Sequence, residues 1–423
     1  MRSGRSSAGD RFVYGGFFVI YTACGSHSII DLYSAIMRHL CAAVITWCNL
    51  FSGSWATQQT WPSSIDELED VMFLGSGYRS RGFSSFVTPC SFSAHGPGRQ
   101  AAAEWVQAAF HDMATTDIYY ANKGSVHGGI DSSLAFELND GENIGAGLHT
   151  SLVTYAGFFN SRLSMADLIA LGVYAGVRAC GGPIIPMRGG RIDAKAAGPM
   201  GVPQPQNGIG QFNNQFTRMG FSTSDMIAMT ACGHTLGGVH SDNFKDVVIP
   251  GTTPNDFQLF DSTEAFDNKI ATRYIYGPDT NPLSVGISTK SRKNSDFQVF
   301  NADNNVTIKA MTDPEKFDSM CISILRRMIE TVPPFVTLSD VIEPYEVKPA
   351  GLQLTLSSRG MKLRFSGDIR VRTTVRTASQ IDTVQLWYRD RSGTNVSTLI
   401  NATPVGTASG FDDRFSVYAW TSA

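Results

Sequence analysis

The sequence predicts a mainly α-helical protein that closes in a small β-rich domain. Two observations carry this reading. Four segments, around 101–114, 162–180, 223–236 and 314–331, place apolar residues at helical spacing. Beyond about residue 345 the pattern changes to short runs that alternate apolar and polar residues, "LQLTLSS", "MKLRFSG", "IRVRTTVRT", "DTVQLWYRD" and "FSVYAW", divided by turn residues. The helical part is expected to span 57–340, and the strands to build a β-sandwich over 345–423. Hydrophobic residues at 42% and charged residues at 17% belong to a chain able to bury a core, not to a disordered one. A net charge of −3 gives no reason to expect nucleic acid or an anionic membrane as partner.

The elements follow in order. From Met37 the chain runs "MRHLCAAVITWCNLFSGSWA", a basic start, an apolar stretch from Leu40 to Leu50 and small residues ending at Ala56. That is the layout of a secretory leader, so 1–56 is expected to be an upstream extension plus signal peptide, with translation starting at Met37 and the product secreted. "SSIDELEDVMFL" opens on a Ser cap and an acidic first turn. "AAEWVQAAFHDMATTD" follows as a buried helix. "MRGGRIDAKAAGPMGVPQPQNG" is an irregular connection by its Gly and Pro content. "STSDMIAMTACGHTLGG" starts on Thr and Ser caps and stops at a Gly pair.

Seven cysteines occur, and Cys24, Cys41 and Cys48 fall in the leader region. The remaining Cys90, Cys180, Cys232 and Cys321 suit two disulfides in an oxidising compartment, with three pairings open. Sequons at Asn305, Asn395 and Asn401 all follow the expected cleavage point and fit a glycoprotein.

The chemistry concentrates on two helices. His111 and Gln107 are four apart and share a face, while Asp112 points about a quarter-turn away. His234 sits in the last turn of the second helix, on the stripe of Ile227 and Ala231. Two helices with facing histidines can sandwich a flat cofactor, one imidazole ligating and the other poised opposite.

The segments "AAFHDMA", "GGIDSS", "RGGRIDA", "VPQP", "ACGHTLGG" and "FDSTEAFDN" resemble the motifs of the plant and fungal haem peroxidase superfamily, most nearly its secreted fungal branch. The resemblance covers about 60–330. It implies the helical haem-peroxidase fold, haem b and two Ca²⁺ ions as cofactors, and hydrogen peroxide with small phenolic-type aromatic donors as substrates. By the same resemblance His234 is the proximal iron ligand and Asp296 its carboxylate partner. His111 is the distal base, Asn143 fixes its tautomer, Glu137 orients that asparagine, and Phe110 closes the distal pocket. Asp112, the Gly129 carbonyl, Asp131 and Ser133 match a distal calcium site. Thr235, Asp261, Thr263 and Asp267 match a proximal one. Oxygen-only ligand sets of this kind suit Ca²⁺.

One residue departs from the family. Active members carry arginine four residues before the distal histidine, and here it is Gln107. An arginine there stabilises charge as the O–O bond breaks, and a neutral amide is a weaker donor. The expected activity is therefore a weakened extracellular peroxidase. The alternative is an impaired haem-binding protein whose C-terminal domain binds cell-wall polysaccharide. A monomer with no nucleic-acid partner, and no membrane contact once the leader is removed, is expected. The acidic trio of the manganese-oxidising members and the surface tryptophan of the long-range oxidisers are not identifiable, and Trp61 and Trp105 read as core. No HExxH-type spacing supports a metal hydrolase.

Overall fold

A computed structural model describes residues 10–14, 17–22, 63–121, 128–388 and 399–422. The leader expected at 37–56 and the sequon at Asn395 lie outside these residues, whereas 10–14 and 17–22, expected to be an upstream extension, pair with each other and, through 17–22, with the C-terminal strands. The chain divides into two units. One is helical and contains Glu67–Gly75 and Arg81–Glu343; the other is β-rich and contains Ser76–Ser80, Pro344–Ala423 and the described residues before Glu67. No described helix is long and apolar enough to cross a membrane.

In the helical unit α1 (Asp66–Phe73) leads to α2 (Ala101–Met113), the short α3 (Ile118–Ala121), α4 (Ala146–Ala156) and α5 (Met165–Ala179). The second half holds α6 (Ile209–Arg218), α7 (Thr223–His234), α8 (Lys269–Tyr276), α9 (Ile287–Ser291), α10 (Ser295–Phe300), α11 (Val306–Ala310) and α12 (Pro314–Glu330). Helix α2 buries Ala102, Trp105, Val106, Ala108, Ala109, His111, Asp112 and Met113, a stripe wide enough to contact α4, α5 and α7. Two glycines of α5 admit close neighbours, Gly176 towards α2 and Gly172 towards Tyr155 of α4. A Cβ on Gly176 would sit 2.9 Å from the Ala102 carbonyl oxygen, and one on Gly172 would sit 2.1 Å from the Tyr155 hydroxyl. Trp105, Phe83 and Tyr155 fill the remaining space, with ring centroids 4.7–5.8 Å apart.

Caps fix the helix starts. Ser164 Oγ accepts from Asp167 N at the head of α5, and Ser222 with Asp225 forms a reciprocal capping box on α7. The "RGGRIDA" stretch is architectural. Arg191 forms a buried ion pair with Asp167 at 2.9 Å and donates to the Ile329 carbonyl, while Asp193 accepts from the first backbone N–H groups of α5. Disulfides join Cys90 to Cys180 and Cys232 to Cys321, which selects one of the three pairings.

The β unit corrects the expected sandwich. Its strands are β1 (Asp10–Tyr14), β2 (Phe17–Thr22), β3 (Ser76–Gly77), β6 (Val347–Ser357), β7 (Lys362–Arg372), β8 (Thr383–Tyr388), β9 (Ile400–Ser409) and β10 (Arg414–Ser422). A separate two-stranded ribbon, β4 (Gly238–His240) with β5 (Phe257–Leu259), belongs to the helical unit. The eight strands form one sheet in the order β1-β2-β8-β9-β10-β7-β6, with β3 on β9, not two facing sheets. All its pairings are antiparallel. Val384 and Leu386 of β8 share one core with Val347, Ile369, Val371, Tyr418 and Trp420, so the sheet curls over its own apolar face. Alternation in sequence marks each strand's buried side but says nothing about which strand lies beside it.

Candidate functional site

Helices α2 and α7, with α6, α10 and α12, surround a cavity of about 490 Å³ in the helical unit. That volume is in the range of cofactor pockets. His111, Gln107 and Phe110 line it from α2, and His234 lines it from α7, so the two imidazoles predicted from sequence reach the same space. Phe212, Phe216, Met229, Phe260, Leu325 and Met328 give it mostly apolar walls.

On the His111 side, Nδ1 lies 2.7 Å from Asn143 Oδ1, and Asn143 Nδ2 donates to the Glu137 carbonyl at 2.9 Å. The second bond orients the amide so that its oxygen faces the ring. His111 Nδ1 is therefore the protonated nitrogen, and Nε2 keeps a lone pair. Burial pushes the imidazole below its ordinary pKa, opposed by the Asn143 bond, and favours the neutral form. Glu137 orients the asparagine through its backbone, while its carboxylate accepts from Gly198 N at 2.6 Å.

On the other side His234 Nδ1 lies 2.7 Å from Asp296 Oδ2, which also accepts from Asn281 Nδ2 at 2.7 Å. The Asp296 carboxylate is buried, and the His234 side chain stays 32% exposed, which leaves its ring open to the cavity. Phe260 stacks on that ring with centroids 4.1 Å apart and planes 12° from parallel. Cys232, two residues earlier, ties α7 to α12.

Gln107 also lines the cavity, and no described residue hydrogen-bonds its side chain. The arginine among the lining residues is Arg99, and it is committed to Glu104 through two contacts, one of them Nη2 to Oε2 at 2.7 Å. Nothing on the cavity wall restores the missing guanidinium.

Behind His111, Asp112 is fully buried. Its Oδ2 accepts from Asp131 N and Ser132 N at 3.0 and 2.9 Å, and its Oδ1 from Leu134 N at 3.1 Å. Burial pushes its carboxyl well above the ordinary range, with the Asp131 charge adding to this. Ser133 Oγ is buried without a well-formed hydrogen bond. On the His234 side Thr235 Oγ1 donates to the Asp267 carbonyl at 2.5 Å, Thr263 Oγ1 donates to Asp267 Oδ2 at 3.0 Å, and Asp261 Oδ1 accepts from Thr263 N at 2.7 Å. Asp261 Oδ2 is buried and unpartnered, and burial, reinforced by Asp267, pushes this carboxyl up to about 6. Both clusters offer oxygen donors only. Among the described residues no group of three or more His, Cys, Asp or Glu is placed to hold a metal, so either cluster would depend on carbonyl and hydroxyl oxygens beside its carboxylates.

Three contributors were given no role from the sequence. Asn281 lies in a loop of ordinary composition, and Phe260 opens the quoted "FDSTEAFDN" motif without being singled out. Glu142, directly before Asn143, accepts from Gly201 N and Val202 N at 2.9–3.2 Å, clasping the "VPQP" loop at the cavity wall.

A helical fold with two backed imidazoles on one cavity is that of a peroxidase-type protein. The peroxidase family profile matches residues 90–318, and the chain belongs to this family, within the haem peroxidase superfamily. It is 57% identical over 85% of its length to a WSC domain-containing protein of Arthroderma benhamiae, covering 50% of that relative. It is 34% identical over 34% of its length to L-ascorbate peroxidase 5, peroxisomal, of Arabidopsis thaliana, covering 50% of it. It is 38% identical over 19% of its length to the mitochondrial cytochrome c peroxidase of Yarrowia lipolytica, covering 24% of it. The chain thus spans about half the length, or less, of these curated relatives.

Proposed function

We propose that this chain is a secreted haem peroxidase that reduces hydrogen peroxide slowly and oxidises small aromatic donors. The observation that carries the proposal is the pair of 2.7 Å contacts, His111 to Asn143 and His234 to Asp296, on one cavity. The residues fit a haem: the walls are apolar, and His234 presents an open ring whose other nitrogen is anchored to a buried carboxylate. When bound, the haem supplies the redox chemistry that peroxide cleavage requires.

The chain's own groups supply binding and proton handling. His234 Nε2 would hold the iron, with Asp296 and Asn281 fixing the ring's angle and Phe260 its plane. His111 Nε2 is positioned to accept a proton from a hydroperoxide in the cavity and to return it to the departing oxygen, general base and then general acid. Asn143 keeps the tautomer right for both steps. Gln107 offers a neutral amide to the peroxide oxygens, a donor about half as strong as a charged one. The unpartnered Asp261 oxygen and the buried Asp112–Asp131 pair fit hard cations, so Asp112, Gly129, Asp131 and Ser133 would hold one Ca²⁺ and Thr235, Asp261, Thr263 and Asp267 another.

Gln107 also favours a second reading, a haem-binding protein without useful turnover. Reconstitution with haem tests both. The wild type should give an intense Soret band and a peroxide-dependent spectral change, and His234→Ala should lose the band. A band that never responds to peroxide selects the binder. Failure to take up haem refutes the site.

A further inference from the structure

One buried amide ties the two sides of the cavity together. Gln100 is the residue on which α2 begins, about three turns before His111 and on the same face of the helix. It lines the cavity and is 2% exposed. Its Oε1 accepts from Gly237 N at 2.6 Å, and its Nε2 donates to the Glu264 carbonyl at 2.8 Å. Both partners belong to the His234 side. Gly237 follows His234 by three residues, and Glu264 lies between Thr263 and Asp267 in the loop to which Thr235 donates.

The link continues to the imidazole. The Gly237 carbonyl accepts from Phe260 N at 3.1 Å, and the next rung, Gly238 with Leu259, opens the β4–β5 ribbon. Phe260, which stacks on the His234 ring, therefore stands at the end of the ribbon that Gln100 grips. The join requires glycine at 237. Its φ of +81° lies in the left-handed region, and a Cβ there would sit 2.8 Å from Ala103 Cβ of α2. The backbone after α7 thus meets α2 with no side chain of its own between them, and Gln100 supplies the polar half of the contact.

We propose that Gln100 is a positioning residue: by holding Gly237 it fixes Phe260, and so the plane of the His234 ring, relative to the helix that carries His111. Glutamine suits the task because one arm presents both an acceptor and a donor, and burial makes either bond costly to lose. The proposal rests on the haem reading, since the plane of His234 matters to the reaction only when that ring holds iron.

The test compares the haem-loaded wild type with two variants. Gln100→Met keeps the length of the side chain and removes both hydrogen bonds, whereas Gln100→Glu still presents an oxygen to Gly237 N. In Gln100→Met the iron–imidazole stretching band of the ferrous protein, read by resonance Raman, should shift or broaden, and the peroxide reaction should slow about tenfold. Gln100→Glu should restore the wild-type band and most of the rate. Gln100→Asn, whose arm is one methylene too short to span both partners, should repeat the change and serves if Gln100→Met fails to fold. Wild-type band and rate in the variants, or a Gln100→Glu no better than Gln100→Met, overturns the proposal. Lost stability in denaturant with band and rate unchanged also overturns it, by making Gln100 a brace of the fold alone. A wild type without a Soret band refutes the haem reading itself, and the proposal falls with it.

Discussion

Replacing Gln107 by arginine should speed the reaction with peroxide. The site is prepared for the change: Gln107 lines the cavity without a described hydrogen-bond partner, so nothing is displaced. Of the carboxylates lining the cavity, Glu104 is engaged by Arg99, Glu142 by the Gly201 and Val202 N–H groups and Asp296 by His234 and Asn281, which leaves Asp242 as the competitor for the new guanidinium. A neutral hydrogen bond contributes about 1 kcal/mol and a charge-assisted one roughly 1.5–3 kcal/mol. The difference realised in the transition state is therefore roughly 0.5–2 kcal/mol, and each 1.36 kcal/mol is about tenfold in rate. Stopped-flow mixing of haem-loaded Gln107→Arg with peroxide, followed at the Soret band, should show a gain of about tenfold over the wild type. An unchanged rate in a variant with an intact Soret band would refute the reasoning and place the limiting step elsewhere.

Other outcomes follow from the same geometry. Asn143→Ala removes the acceptor that fixes the His111 tautomer and should slow the peroxide reaction about 10–100-fold, with haem affinity retained; an undiminished rate counts against His111 as the base. Treatment with a calcium chelator should lower Tm by roughly 5–10 °C, as loss of a ligand held well above its Kd does, and the decrease should be smaller in Asp261→Ala; calorimetry with and without chelator measures this. Removing the second disulfide through Cys232→Ala with Cys321→Ala opens a link 89 residues apart in sequence and should cost about 2–4 kcal/mol in denaturant unfolding. Gly172→Ala should destabilise the helical unit by about 1–3 kcal/mol through collision with Tyr155, read by the same titration.

Much of the site was legible because its chemistry is concentrated in short, helix-borne stretches. His111 with Asp112 lie at a fixed offset on α2, and His234 with its C-cap Thr235 close α7, so helical geometry decides which neighbours share a face. Asn143 and Asp296 were legible only through their likeness to a known family. Glu137 meets Asn143 through its backbone oxygen, while its carboxylate anchors Gly198, a division of labour the sequence does not show. Asn281 and Phe260 escaped notice because each acts on a group distant in the chain, 15 residues from Asp296 in one case. A loop asparagine and a core phenylalanine look like any others until the chain is folded.

Taken alone, the sequence determined the periodicity that makes α2 and α7 helices, the alternation that makes the C-terminal strands, and the glutamine where a charge would be expected. Those are properties of residues within a turn or two of each other. Only the tertiary structure decided which cysteines join, that one curled sheet replaces a sandwich, and that two histidines 123 positions apart open on the same cavity. Contacts of that range depend on which buried faces meet, and the choice is made by packing the whole chain at once, not by any local stretch of it.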